Sequence, residues 1–244
     1  MGKSYAEWLV RWRYFILVAA LALAAAAGSG TRYITLDTDD RVFFSEDNPQ
    51  LQAFEELQNT YTKTDNVMFV LAPKDGRVFT PETLRAIAWL TEESWQIPYS
   101  LRVDSITNYQ HTEAQGDDLL VDDLVPDDVL ETLDQATLER ISNIALNEPL
   151  LVDHLISASG HVTGVNVTIQ LPDDTSGEEV PSVAAFSREL ADKVRAENPD
   201  LDVYITGMVM MNNSFPEVSI HDQQTLVPMM FGIIMLTLIL LLRS

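Results

Sequence analysis

Two long apolar runs, one near each end of the chain, dominate its pattern of hydrophobic and polar positions. The first covers residues 14–27 and the second residues 226–242, and neither contains a charged residue. A membrane-spanning helix needs about 20 mainly apolar residues, with a range of roughly 17–25. The pattern therefore predicts two transmembrane helices. The first is expected to begin near Trp8, with Arg11 and Arg13 at the level of the lipid headgroups.

The charged flanks of these helices predict their orientation. Lys3, Arg11 and Arg13 precede the first helix, and Arg243 follows the second. Because positive residues near the ends of spans favour the cytoplasmic side, both termini are expected in the cytoplasm. Residues 32–222 then form an extracytoplasmic domain, between a first segment of residues 1–31 and a last one of residues 223–244.

The first apolar run admits a second interpretation. Basic residues before a short apolar core, with small residues from Ala24 to Gly30 behind it, are also typical of a cleaved signal peptide. An aromatic group lies among the basic residues, and such groups mark the membrane interface of a retained helix. Its members are Tyr5, Trp8, Trp12 and Tyr14. The aromatic group favours a retained helix, and cleavage stays open.

Residues 65–107 predict a strand, a helix and a strand in that order. The apolar run 67–71 is typical of a buried central strand. Thr80 followed by Pro81 predicts the N-cap and first residue of the helix, and a strand is expected over 101–107. The predicted inner face of the helix consists of Leu84, Ile87, Ala88 and Trp95.

The same order of elements recurs over residues 163–207. Apolar and polar residues alternate over 165–171, a helix is expected after Pro181, and a last alternating strand stops at Gly207. Two βαβ units in series give the βαββαβ order of a ferredoxin-like fold. The sequence therefore predicts an α+β domain, with both helices on one face of an antiparallel sheet. The predicted inner face of the second helix consists of Val183, Phe186, Leu190 and Val194.

An insertion over about residues 109–150 separates the two units, and we expect it to be helical. Its main element is a predicted helix from about Pro126 to Asn147. Residues 155–163 are expected to form a hairpin around Ser159 and Gly160 that leads into the third strand. The predicted inner stripe of the long helix consists of Leu130, Leu133, Thr137, Ile141 and Ile144.

The overall charge narrows the class of protein. The chain has 15 basic and 37 acidic residues and a formal net charge of −22. This balance argues against nucleic acid as a partner, because a phosphate backbone requires a basic surface. The chain has no cysteine, which excludes disulfide frameworks, zinc–thiolate sites and thiol catalysis.

No residue pattern identifies a catalytic, cofactor, metal or substrate site, so the chain is not expected to be an enzyme or to carry a cofactor. Three Asp pairs at 117–118, 122–123 and 127–128 lack the spacing of a calcium loop, which favours a solvated acidic segment. His154 and His161 flank the predicted hairpin without metal-site spacing. The other histidines are His111, in the insertion, and His221, beside Asp222 at the predicted membrane surface.

Two further observations bear on function. Asn166 and Asn212 each begin a glycosylation sequon, a match that is frequent by chance. Neither predicted span carries an ionisable residue in its apolar centre, whereas ion-coupled transport normally needs such groups inside the membrane. The chain alone therefore shows no proton path.

The order of soft motifs along the chain resembles the N-terminal part of a resistance-nodulation-division (RND) transporter of the MMPL or predicted-exporter type. The basic and aromatic start and the first span are followed by Asp37, Arg41–Phe44, Asp47–Pro49, Phe54, Asp65–Val67, Val103–Asn108, Leu155–Gly160, Gly207 and Asp222. The resemblance covers nearly the whole chain.

The resemblance implies a proton-driven exporter of lipids or hydrophobic compounds in the bacterial inner membrane. Such transporters have twelve spans in two halves, each with a large periplasmic porter domain of ferredoxin-like type after its first span. The expected partners are therefore the lipid bilayer, the remaining spans, the second porter domain and a hydrophobic substrate, and oligomerisation stays open. The proton-relay carboxylates of the family lie on later spans, so the chain is not expected to transport alone.

Two other classes of protein stay open. Two spans around an extracytoplasmic domain also describe a scaffold such as a polysaccharide co-polymerase, although the second span has only Pro228 and no long heptad run precedes it. A sensor ectodomain would need a cytoplasmic signalling domain after Arg243.

Overall fold

The computed structural model describes residues 8, 10–30, 44–45, 47–61, 65–115, 118–172 and 177–242. The basic residues Lys3 and Arg243, the aromatic Tyr5 and the motif residues Asp37 and 41–43 lie outside the described residues, as does Asp117. The chain divides into two compact units, residues 1–37 and 38–244.

The first unit contains one apolar helix, α1 (Arg13–Ser29), of 17 residues, none of them buried. The backbone N–H of Trp12 donates to the carbonyl of Trp8 at 3.0 Å, so a helical turn precedes α1. This agrees with the predicted start near Trp8. By length and composition, however, the helix that can cross a membrane is the last one of the described chain, and α1 is shorter. The first transmembrane helix stays a prediction.

In the second unit, six strands of the described chain form two antiparallel sheets. The central sheet has the order β2-β5-β1-β6, and a separate hairpin pairs β3 with β4. Phe69 of β1 lies opposite Val165 on one side and Ile205 on the other. The strands are β1 (Asp65–Pro73), β2 (Ser100–Asp104), β3 (Gln110–Gln115), β4 (Asp118–Asp123), β5 (Thr163–Ile169) and β6 (Leu201–Thr206).

The described helices of this unit lie before, between and after the strands. They are α2 (Pro49–Tyr61), α3 (Pro81–Ser94), α4 (Asp127–Glu131), α5 (Gln135–Asn147), α6 (Glu179–Glu197) and α7 (Met208–Leu242). Helices α3 and α6 contact each other and the central sheet. The element order through the sheet is therefore βαββαβ, with the insertion between β2 and β5.

One face of the central sheet forms the core. Val67, Phe69 and Leu71 of β1 alternate with half-buried residues and are fully buried. The central strand is confirmed, but the apolar run is buried on one face only, since Met68 and Val70 remain partly exposed.

The predicted start of α3 is confirmed. Pro81 is its first residue, and the Thr80 hydroxyl accepts from the backbone N–H of Thr83 at 3.3 Å. The predicted inner position of Trp95 is wrong. Trp95 follows the last helical residue and is 52% exposed.

Helix α6 begins at Glu179, two residues before the predicted Pro181, and buries Val183, Leu190 and Val194 as expected. In the predicted hairpin over residues 155–163, Ile156 pairs antiparallel with Thr163, and the chain turns around Ser159 and Gly160 as expected. Ser157 donates its backbone N–H to Val162 at 2.9 Å, and Gly160 donates to Ser157 at 2.8 Å.

The insertion departs from the prediction of a helical segment, because its first part is the hairpin of β3 and β4. The single long helix expected from Pro126 is also wrong. The chain leaves α4 after Glu131, and a new helix begins where the Asp134 carboxylate accepts from the backbone N–H of Thr137 at 2.8 Å. That N-cap requires extended backbone at Asp134, which breaks the helix. Leu138, Ile141 and Ala145 form the buried stripe of α5.

Candidate functional site

Helix α7 is connected to the central sheet by a tightly packed group of residues, which we call the joint. The joint consists of Asn66, Arg188, Gly207, Met208, Val209, Met210, Asn213 and Glu217. Besides Gly207, which lies between β6 and α7, these residues come from β1, α6 and the first turns of α7, so the joint fixes the helix to β1 and α6.

Gly207 turns the chain from β6 directly into α7. Its φ is +114°, a backbone conformation that side chains rarely adopt. A Cβ atom at this position would also collide with the backbone carbonyl of Asn66. The turn therefore requires glycine on both grounds, and its tightness places the helix against the start of β1.

The side chain of Asn66 connects three elements. Its Nδ2 donates to Oδ1 of Asn166 on β5 at 2.8 Å, and its Oδ1 accepts from the backbone N–H of Met208 at 3.2 Å. The first N–H groups of a helix have no partner within the helix. Asn66 therefore supplies an N-terminal cap from a strand that lies 142 positions away in the chain.

The first turns of α7 are packed into the domain. Val209 is fully buried, and Met210 and Asn213 are 9% and 7% exposed. The rest of the described helix is mostly exposed. At 35 residues α7 is about 52 Å long, whereas the hydrocarbon core of a membrane is about 30 Å thick. The helix is thus long enough to cross a membrane and still insert its start into the domain.

An ion pair joins α6 to the third turn of α7. The Arg188 guanidinium donates to both carboxylate oxygens of Glu217, at 3.2 and 2.7 Å. The amide of Asn213 donates to the same carboxylate at 3.2 Å. Because both charged side chains are about half exposed, the pair adds little free energy. Its two parallel hydrogen bonds instead fix the orientation of α7 relative to α6.

Two prolines interrupt the hydrogen bonding of α7, at Pro216 and Pro228. Proline has no N–H, so each removes the bond to the carbonyl four residues earlier and favours a bend. Pro216 lies beside Glu217, so the ion pair holds the helix at the first of these two prolines.

The histidines and acidic pairs of the sequence analysis are not part of the joint. The described residues contain no group of three His, Asp or Glu side chains that could hold a metal ion. His161 uses Nδ1 to contact the Ser157 and Ser159 hydroxyls, and His111 lies opposite Asp122 in the hairpin. Of the acidic pairs, residues 122–123 end β4 and 127–128 begin α4.

Sequence reasoning missed the joint, although signals for parts of it exist. Asn66 directly precedes the apolar run of β1, and Gly207 directly precedes a helix. Asn166 and Asn213 were considered only as parts of glycosylation sequons. Arg188 and Glu217 gave no signal, because 29 positions separate them along the chain.

These features define the class of protein. A mixed α+β domain is joined without a linker to a helix that is long and apolar enough to cross a membrane. These features are typical of a membrane protein.

Comparison with known families identifies the family. The model of the MMPL family matches residues 52–244, and the chain belongs to that family. This agrees with the resemblance of its motifs and is consistent with a portion of an RND-type transporter. A search of the curated proteins found no match.

Proposed function

We propose that the chain is the N-terminal part of a proton-driven RND exporter whose cargo is a lipid or another hydrophobic compound. The central sheet and its helices act as a ferredoxin-like porter domain on the periplasmic side of the bacterial inner membrane, where they contact or gate the cargo. Both termini lie in the cytoplasm. Membership of the MMPL family supports this proposal, as do the βαββαβ order and the antiparallel β2-β5-β1-β6 sheet.

The joint is the observation that carries the proposal. A gating domain has to move when the membrane helices move. Because Asn66, Val209 and Arg188 hold the first turns of α7 against the sheet, a tilt of the helix would displace the domain. The remaining spans and a second porter domain would supply the proton path and the opposing wall of the cargo route.

An efflux assay tests the transport proposal. The gene is deleted from its host and restored with wild-type or variant sequence, and release of the preloaded neutral dye Nile red is followed with and without a protonophore. We expect deletion and the protonophore to slow release. Arg188→Ala should slow it by up to about fivefold, since an exposed ion pair contributes up to about 1 kcal/mol.

Arg77→Ala is the control, because Arg77 also forms an exposed ion pair, with Asp75 at 3.0 Å, away from the joint. It should leave release unchanged. Release that is insensitive to deletion would contradict the export proposal and favour a scaffold. Equal effects of the two variants would contradict the role of the joint.

The proposed orientation has its own test, which uses the absence of cysteine from the chain. A single cysteine is introduced as Asp202→Cys, at an exposed position of β6. A membrane-impermeant maleimide should label it in cells with a permeabilised outer membrane and an intact inner membrane. Labelling only after lysis would place the domain in the cytoplasm and contradict the proposal.

A further inference from the structure

A cleft of about 430 Å³ lies between the solvent side of α3 and the start of the insertion. Small-molecule sites usually measure about 300–1,000 Å³, so the cleft has room for a small organic ligand. It lies apart from the joint. Its chemical character comes from Arg85, Trp89, Glu92, Trp95, Asp123 and Asp127.

Two tryptophans line this cleft. Trp89 is partly buried against the core, whereas Trp95 is 52% exposed beside the end of α3. The ring of tryptophan is the best side chain for attracting a cation to its face. Exposed tryptophans are also enriched where proteins bind other molecules.

The charges of the cleft select for a cation. Three carboxylates, Glu92, Asp123 and Asp127, line it together with one base, Arg85. Among the residues that the structure describes, none of these four forms an ion pair. Burial, and then the carboxylates of Asp122 and Asp127, raise the pKa of Asp123. The potential at this point is therefore negative, and a bound cation would relieve it.

We propose that this cleft binds an organic cation with an apolar body, such as a quaternary ammonium compound with an aromatic or alkyl group. The tryptophans contact both the apolar body and the charged head of the ligand. The carboxylates neutralise the positive charge of the head. An anion would meet repulsion. A neutral apolar ligand would remove water from the carboxylates without replacing the hydrogen bonds that this water makes. The inference goes beyond the proposed function, because binding here does not require that the complete protein exports its ligand.

Calorimetric titration of the full chain in a non-ionic detergent tests this site. The probe is benzyltrimethylammonium, and benzylsulfonate is an anion of similar size. We expect heat of binding from the cation and none from the anion. Trp95→Ala and Asp127→Asn should each weaken binding by about fivefold or more.

Two matched controls separate the site from general effects of charge or aromatic content. Trp12→Ala removes an exposed tryptophan that directly precedes α1, and Asp202→Asn removes an exposed carboxylate of β6. Neither should change the affinity, and circular dichroism verifies that every variant is folded. Equal binding of the anion, equal losses in the controls, or absence of cation binding would overturn the inference. Cation binding without Nile red efflux would retain this site and remove the export proposal, and the converse result would do the opposite.

Discussion

The joint and the insertion hairpin of β3 and β4 project from the same domain but are built in opposite ways. At the joint, a buried Val209, a cap from Asn66 and an ion pair from α6 hold the helix. The hairpin has a complete ladder between its own strands, yet its β4 side chains are exposed, with Leu119 at 73% and Val121 at 56%.

The difference indicates where the domain needs rigidity. Contacts from several elements resist local opening, whereas a two-stranded ribbon with few buried contacts opens at low free energy. We therefore expect local opening to cost more free energy at the connection to α7 than in the ribbon of β3 and β4. Four predictions test this contrast, from the largest expected effect to the smallest.

Gly207→Ala should have the largest effect. The added Cβ meets the backbone of Asn66 in a conformation already unfavourable for a side chain, and we expect a loss of about 3 kcal/mol in the free energy of unfolding. Urea denaturation of the full chain in detergent measures it. Gly76→Ala is the control, because Gly76 also has a positive φ, of +70°, but open space around it, and should cost about 1 kcal/mol. Equal losses would show that the joint is not sterically tight.

Asn66→Ala should destabilise the joint by about 2 kcal/mol, because it removes both the helix cap and the bond to Asn166. Asn166→Ala removes only the second of these and should cost about 1 kcal/mol. The same denaturation assay compares the two variants. An Asn166→Ala loss equal to or larger than that of Asn66→Ala would mean that the cap on Met208 contributes nothing.

The hairpin should tolerate change at its most exposed apolar side chain. Leu119→Gln is expected to alter the free energy of unfolding by no more than about 0.5 kcal/mol. Ile141→Ala, in the buried stripe of α5, should cost about 3 kcal/mol in the same assay. A loss above about 1 kcal/mol for Leu119→Gln would indicate that the hairpin packs against the domain in solution.

The same contrast separates what the sequence could predict from what it could not. The apolar run of β1, the alternating patterns over β5 and β6 and the Thr80 N-cap are local signals, and they gave the order of elements correctly. The hairpin was missed because residues 119–121 form a short apolar run without alternation, among acidic pairs that suggested a solvated segment. Helical periodicity predicts one helix from Pro126 to Asn147. Asp134, an N-cap residue type, lies inside this range and was the signal for a second helix start.

The joint depends on contacts between residues far apart in the chain. Asn66 reaches Asn166 and Met208, and no local pattern connects these three positions. Helical periodicity also placed Trp95 inside the core, although α3 had already ended at Ser94. Both misses arise because tertiary packing decides which neighbours a side chain meets after its own element has formed.

Two carboxylates of the insertion should give the smallest effects, with opposite signs. Burial and neighbouring carboxylates raise the pKa of Asp123 above its usual 3.8, so its ionised form opposes folding at neutral pH. Hydrogen bonds from Thr137 lower the pKa of Asp134, so its ionised form favours folding above pH 3.8, and that stability is lost as pH falls through the lowered folded pKa.

Asp123→Asn should therefore raise the free energy of unfolding at about pH 7, by less than about 0.5 kcal/mol because the group is largely exposed. Asp134→Asn should lower it, since asparagine keeps the N-cap acceptor but loses the charge. Urea midpoints compare each variant with wild type. The Asp123→Asn difference should disappear as the pH falls through the raised pKa of Asp123 towards 3.8, whereas the Asp134→Asn difference should begin to shrink only below pH 3.8. Changes of the same sign would mean that net charge, and not the local partners of each carboxylate, controls the stability of the insertion.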